Sequence, residues 1–212
     1  REATWDKLEG KEHRPIILNN AEIDPFDTKA INSRIEKSGL IYGAGYGVFC
    51  KPQFFLGKIL RREQYGNIET FYLGEEYCTD LLPSLALSRD NTIIIRKSAL
   101  VAYIYQKFRD RKSGGVLDKV FSRYGLNQST RKSSYPDIFS RISDDLYEVI
   151  VLHEIAELRH RNSTITSLLA GGVPKNIEIF FRAIKDCLAD LSNDGPVRKL
   201  IDERKRDSIL LY

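Results

Sequence analysis

In the second half of the chain, His153, Glu154, Glu157 and His160 spell H-E-x-x-E-x-x-H. Imidazole nitrogens and carboxylate oxygens are donors that divalent transition metals accept. A helix sets residues i, i+3 and i+4 beside one another on one face. At about 100° per residue, His153, Glu157 and His160 fall in one narrow stripe with Leu146 and Ile150. These three are the expected metal ligands, with Glu154 as the catalytic base or a supporting group. A single helix leaves the coordination sphere open, which is the catalytic arrangement and not the closed structural one. The expected cofactor is a divalent metal, zinc or iron. Zinc would lower the pKa of its bound water to about 7 and support hydrolysis. Iron held by imidazole and carboxylate with open positions would suit oxygen chemistry.

The string resembles two known metal motifs over these eight residues. It shares the His-Glu pair of the zincin H-E-x-x-H helix, with Glu157 standing where the second histidine belongs. That resemblance implies His153 and Glu157 as ligands and Glu154 as general base. It also contains Glu157-x-x-His160, similar to the E-x-x-H of ferritin-like di-iron helices. That reading needs a second such motif and further carboxylates. His13 is the one remaining histidine, and Glu76 and Asp80 are the carboxylates that could be added.

The same side chains support a different expectation. A buried carboxylate must find a partner, because stranding it costs several kcal/mol or forces protonation. His153, Glu157 and His160 could therefore form a structural hydrogen-bond network. The protein would then be a non-enzymatic binding or oligomerisation module, with the aromatic segments 42–55 and 71–77 as an interface core and a homo-oligomer as its assembly.

The helix that must carry the site is expected over 144–161. Ser143 is placed to cap it, Asp144 and Asp145 suit its N-terminus, and Arg159 and Arg161 suit its C-terminus. Leu146, Val149 and Ile150 line one side, and Val151, Ile155 and Leu158 the other. A helix apolar on two sides is central. Helical periodicity also covers 98–112, 116–125, 175–192 and 196–211, with breaks at Gly114-Gly115, at the polar stretch 127–136 and at Gly171-Gly172. In helix 175–192, Phe180, Phe181, Ile184, Leu188 and Leu191 read as the buried face, and Asp186 and Asp190 as solvated. The first half reads differently. Pro15–Leu18 and Thr92–Ile95 are strand-like, and Gly43-Ala44-Gly45 reads as a hairpin turn. Residues 26–35 read as a helix capped by Asp24 with Pro25 in its first turn, and 53–60 as a second helix. The expected fold is α+β and mostly helical: a mixed N-terminal half with short strands or a hairpin, then a helical C-terminal half. It is read as a single domain, 1–212, with lobes at 1–96 and 97–212.

Composition narrows the function classes. The chain has 212 residues, 42% of them hydrophobic and 29% charged, enough for an ordered core. The net charge of +4 is too small to point to nucleic acid. The basic clusters 109–112 and 204–206 are interrupted by or flanked with acids and read as solvated helix ends. No apolar run approaches the ~20 residues of a membrane helix. Cys50, Cys78 and Cys187 form no C-x-x-C, no signal-peptide pattern is visible, and a cytoplasmic location is expected. The glycines at 43, 45 and 47 lack the helix start of a dinucleotide site, since Pro52 follows closely, and no phosphate-binding P-loop is present.

Overall fold

A computed structural model gives the architecture and describes residues 13–46, 52–80, 83–127, 129–159, 163–170 and 173–212. The fold is an α+β mixture, sheet-rich in its first half and helical in its second. Helix makes up about half and strand about a quarter, so "mostly helical" describes the second half only.

A small hairpin comes first, β1 (Ile16–Leu18) with β2 (Ala21–Ile23). Asn19 and Asn20 both take positive φ, 51° and 62°, as a two-residue mirror-image turn requires. Helix α1 (Thr28–Ile35) follows. Its cap is Asp27, which accepts from the Ala30 amide at 3.0 Å. The expected Asp24 instead accepts from the Phe26 amide in the turn before it.

Five strands then form one sheet: β3 (Leu40–Tyr46), β4 (Pro52–Tyr65), β5 (Ile68–Cys78), β6 (Ala86–Arg89) and β7 (Thr92–Arg96), in the order β3-β4-β5-β7-β6. All pairs are antiparallel except β5 with β7. Two expectations are corrected here. Residues 53–60 are strand, not helix, and Gly43–Gly45 lie within β3, not at a turn. Gly43 sits opposite Phe55, and a Cβ on it would lie 2.2–2.8 Å from the Phe55 ring. The glycine therefore marks a close approach across the sheet. The strands are also longer than the expected short ones, reaching 14 residues in β4. The β4–β5 hairpin turns at Gly66-Asn67, with Gly66 at φ 63°.

The second half is helical: α2 (Lys97–Asp110), α3 (Val116–Arg123), α4 (Tyr135–Arg159), α5 (Ser163–Ala170), α6 (Lys175–Leu191), α7 (Pro196–Asp202) and α8 (Arg206–Leu211). Helix α4 begins nine residues before the expected start, and Ser143 is a buried interior residue bonded to the Ser140 carbonyl at 2.6 Å. The expected continuous helix 196–211 is two helices, parted where Arg204 adopts φ 55°.

Helix α4 is central, as its two apolar sides require. Leu146, Tyr147, Ile150, Val151 and Ile155 share one core with Ile68, Tyr72, Ile93 and Ile95 from the sheet and Leu100 and Ile104 from α2. A second cluster on the sheet joins Ile41, Phe55, Phe71, Leu73 and Ile94. A third joins α1 to β3 through Ile23, Ile31, Tyr42 and Ala44. The fully buried Arg96 ends β7. It is bonded to Asp80 at 3.1 and 3.2 Å and to Glu76 at 2.6 and 3.1 Å, and lies 4.4 Å above the Phe55 ring.

Candidate metal centre

His153 lies on the side of α4 that meets α6, where it is mostly buried. Its Nδ1 is 2.7 Å from Asp190 Oδ1 of α6 and 2.6 Å from the hydroxyl of Tyr212. That hydroxyl donates to the same Asp190 oxygen at 2.5 Å. Tyr212 follows α8 and is held in turn by its main-chain carbonyl, which accepts from Tyr103 at 2.7 Å and from Lys107 at 3.2 Å. With Nδ1 committed, Nε2 points along α4 toward Glu157, 3.6 Å away. Lys185 of α6 donates to the other Glu157 oxygen at 2.5 Å.

Glu154 belongs to the same cluster. One ligand atom each from His153, Glu154 and Glu157 lie within 4.8 Å of one another. Glu154 is next to β6, where the nearby Ser88 hydroxyl favours its charged form. Sequence reasoning paired His153 with Glu157 and set Glu154 apart as base, whereas the structure brings all three together. His160, the remaining expected ligand, lies outside the described residues. His13 packs edge-on against Phe26 and Phe54. Glu76 and Asp80 are bound to Arg96.

The electrostatics are those of a crowded acidic cluster. Burial alone would lower the His153 pKa, but its hydrogen bonds to Asp190 and Glu157 and the charge of Glu154 outweigh it and raise it to about 10. Burial pushes Glu157 up, and the His153 and Lys185 contacts overcome this and hold it at about 2. Burial pushes Glu154 up, and the neighbouring Glu157 charge adds to that. Asp186 is raised by burial too, and His153 and Lys185 pull against the rise. Four carboxylates thus face one imidazole and one lysine.

Asp190 corrects one half of the expectation that the α6 aspartates are solvated, while Asp186 is exposed as expected. Helix α6 turns Lys185, Asp190 and the buried Glu178 inward. Its apolar residues Phe180, Leu188 and Leu191, expected to be buried, are exposed. Sequence reasoning missed Asp190, Lys185, Tyr212 and Ser88 as members of the cluster. One signal pointed to Asp190: a histidine on a central helix needs a buried partner. No local pattern pointed to Tyr212 or Ser88.

Among the described residues, two clefts stand out, and neither is lined by His153. One, of about 870 Å³, lies between α1, β3, the ends of β5 and β7, and Leu158-Arg159 of α4. The other, of about 670 Å³, lies between β4, the middle of α4 and the 204–208 segment. The 204–206 basic cluster is partly neutralised there, with Lys205 3.1 Å from Glu148 and 2.7 Å from Glu203. Among the described residues, no helix is long and apolar enough to cross a membrane.

No curated protein and no solved structure matches the chain. Two family models do: the N-terminal domain of a family of unknown function (DUF6866) over residues 1–96, and its C-terminal domain over residues 102–212, which carries the His153 cluster. The two matches account for nearly the whole sequence, and the chain belongs to the DUF6866 family.

Proposed function

We propose that the protein binds one divalent transition-metal ion through His153 Nε2, Glu154 and Glu157. The observation that carries this reading is the division of the imidazole. Asp190 takes Nδ1, Nε2 is left 3.6 Å from Glu157, and one ligand atom each from His153, Glu154 and Glu157 lie within 4.8 Å of one another. A carboxylate on the far nitrogen of a ligating histidine is the usual support of such a site, since it fixes the ring and raises its basicity. Imidazole plus carboxylates suits zinc or iron. Three protein ligands leave room for water, and a water so bound would ionise near neutral pH and serve as a hydrolytic nucleophile. Metal-dependent hydrolysis is the chemistry this donor set supports best.

Elemental analysis of protein purified without chelator, with cobalt titration of the stripped protein, tests this. One equivalent per chain is expected, falling sharply in Glu154→Gln and Glu157→Gln. No retained metal and no visible cobalt band would sink the reading.

One contact favours a second reading. Lys185 Nζ sits 2.5 Å from Glu157 and supplies the cation itself. Among the described residues no buried side-chain nitrogen or oxygen lacks a partner. On this view the cluster is an interlock joining α4, α6 and Tyr212, and the protein works as a binding or oligomerisation module. The same variants would then lower stability and leave metal content at background.

A further inference from the structure

Helix α6 is amphipathic with its polar side inward. Ile177, Phe180, Leu188 and Leu191 are 37%, 60%, 53% and 73% exposed. Cys187 is exposed as well, and Phe181 and Ile184 are partly so. From Ile177 to Leu191, these seven positions lie on two paths of alternating three- and four-residue steps, 177-180-184-187-191 and 177-181-184-188-191, the spacing of a coiled-coil seam. No charged residue interrupts the stripe. On its other side Lys185 is paired with Glu157 and Arg182 with Glu178.

We propose that this face is a homodimer interface, in which α6 packs antiparallel against the α6 of a second copy about a two-fold axis at Ile184. The stripe reads alike in both directions from that residue. Reversal sets Ile177 against Leu191, Phe180 against Leu188, Phe181 against Cys187, and Ile184 against itself. A two-fold contact demands this self-complementarity, because one patch must serve both partners. The area also fits. The stripe offers roughly 500 Å² of apolar surface per protomer, approaching the ~600–800 Å² per partner of a standard stable interface. An exposed apolar patch of this extent on a monomer marks an interaction site. A charged partner finds nothing to pair with in the stripe, whereas a second α6 fills it. This inference is independent of the metal reading.

Size exclusion with light scattering on the full chain, over a range of loading concentrations, gives the primary test. Twice the monomer mass is expected, shifting to the monomer mass in Phe180→Asp and Leu188→Asp with unchanged circular dichroism. Ile201→Asp, which alters an exposed apolar residue of α7 outside the stripe, should leave the dimer intact. The register has its own test, which spares the fold. Ile184→Cys lies on the axis and should give a disulfide-linked dimer on mild oxidation, in a background with Cys50, Cys78 and Cys187 all replaced by serine. A wild-type chain that stays monomeric overturns the proposal and leaves the face to a different protein. A dimer that survives both aspartate variants, or an Ile184→Cys chain that does not cross-link, overturns it as well.

Discussion

His153 Nδ1 lies 2.7 Å from Asp190 Oδ1, and this bond, with the Tyr212 hydroxyl beside it, leaves Nε2 to face Glu157. The two residues belong to different helices, α4 and α6, and the bond ties the orientation of the imidazole to the seating of α6. Asp190→Asn keeps the shape of the side chain and removes its charge. It is expected to weaken metal binding about 10- to 100-fold, as loss of such a supporting carboxylate does, measured by cobalt titration. An affinity equal to wild type would show that Asp190 does not hold the ring for a metal.

The metal-free protein should lose stability in alkali. The His153 pKa is raised by folding to about 10 from about 6.5 in an unfolded chain. Its contribution is therefore fully present below about pH 6.5 and is lost as pH rises through the folded value. Thermal melting of chelator-treated protein is expected to show Tm falling between pH 7 and 10, beyond the fall in Asp190→Asn. Parallel curves for the two proteins would refute this.

Glu157 gives the opposite dependence. Its pKa is depressed to about 2, so its contribution is present above about pH 4.5 and disappears as pH falls toward the folded value. Lys185→Met removes the nearest cation and is expected to move acid unfolding of the metal-free protein to higher pH. An unshifted acid midpoint would mean that Lys185 does not stabilise the Glu157 charge.

Arg96 tests the sheet end of the fold. It is fully buried between Glu76 and Asp80. Arg96→Ala leaves two buried carboxylates without their cation and is expected to cost about 3–5 kcal/mol, read by urea unfolding. Neutralising the acids as well, in Arg96→Met with Glu76→Gln and Asp80→Asn, should recover part of that loss. A triple variant no more stable than Arg96→Ala would locate the cost elsewhere, in the lost packing over Phe55.

Gly43→Ala should cost about 1–3 kcal/mol by overpacking, because its Cβ would meet the buried Phe55 ring. Adding Phe55→Leu should relieve the clash. If the two changes simply add in melts, the close approach is not what Gly43 provides.

How far the sequence reveals this molecule depends on whether the deciding contact is local. Helix α4 announces itself because apolar residues on two sides leave it no place but the centre. Thr92–Ile95 does so because β-branched residues crowd a short run. Residues 53–60 mislead because Phe54, Phe55 and Leu56 are adjacent and the strand is bulged between Leu56 and Arg61, which breaks the two-residue alternation. Gly43 misleads because its reason for being glycine is an aromatic ring twelve residues away. In α6 the periodicity correctly separates an apolar from a polar face, but it does not say which face turns to the protein. The site divides in the same way. His153 and Glu157 are i, i+4 neighbours and visible in one string, whereas Asp190 and Tyr212 reach His153 only through the packing of three helices.

The shared core has a consequence for how the chain folds. Tyr72, Ile93 and Ile95 find their cover in Leu146, Ile150 and Ile155, which are added to the growing chain some 50 residues or more later. At about 5–20 residues per second, a ribosome takes several seconds to supply that stretch. Until then only α2, through Leu100 and Ile104, covers that face of the sheet, and slow long-range closure is the rate-limiting event to expect of such a topology. Overexpression of the first half without the second should therefore deliver it into inclusion bodies.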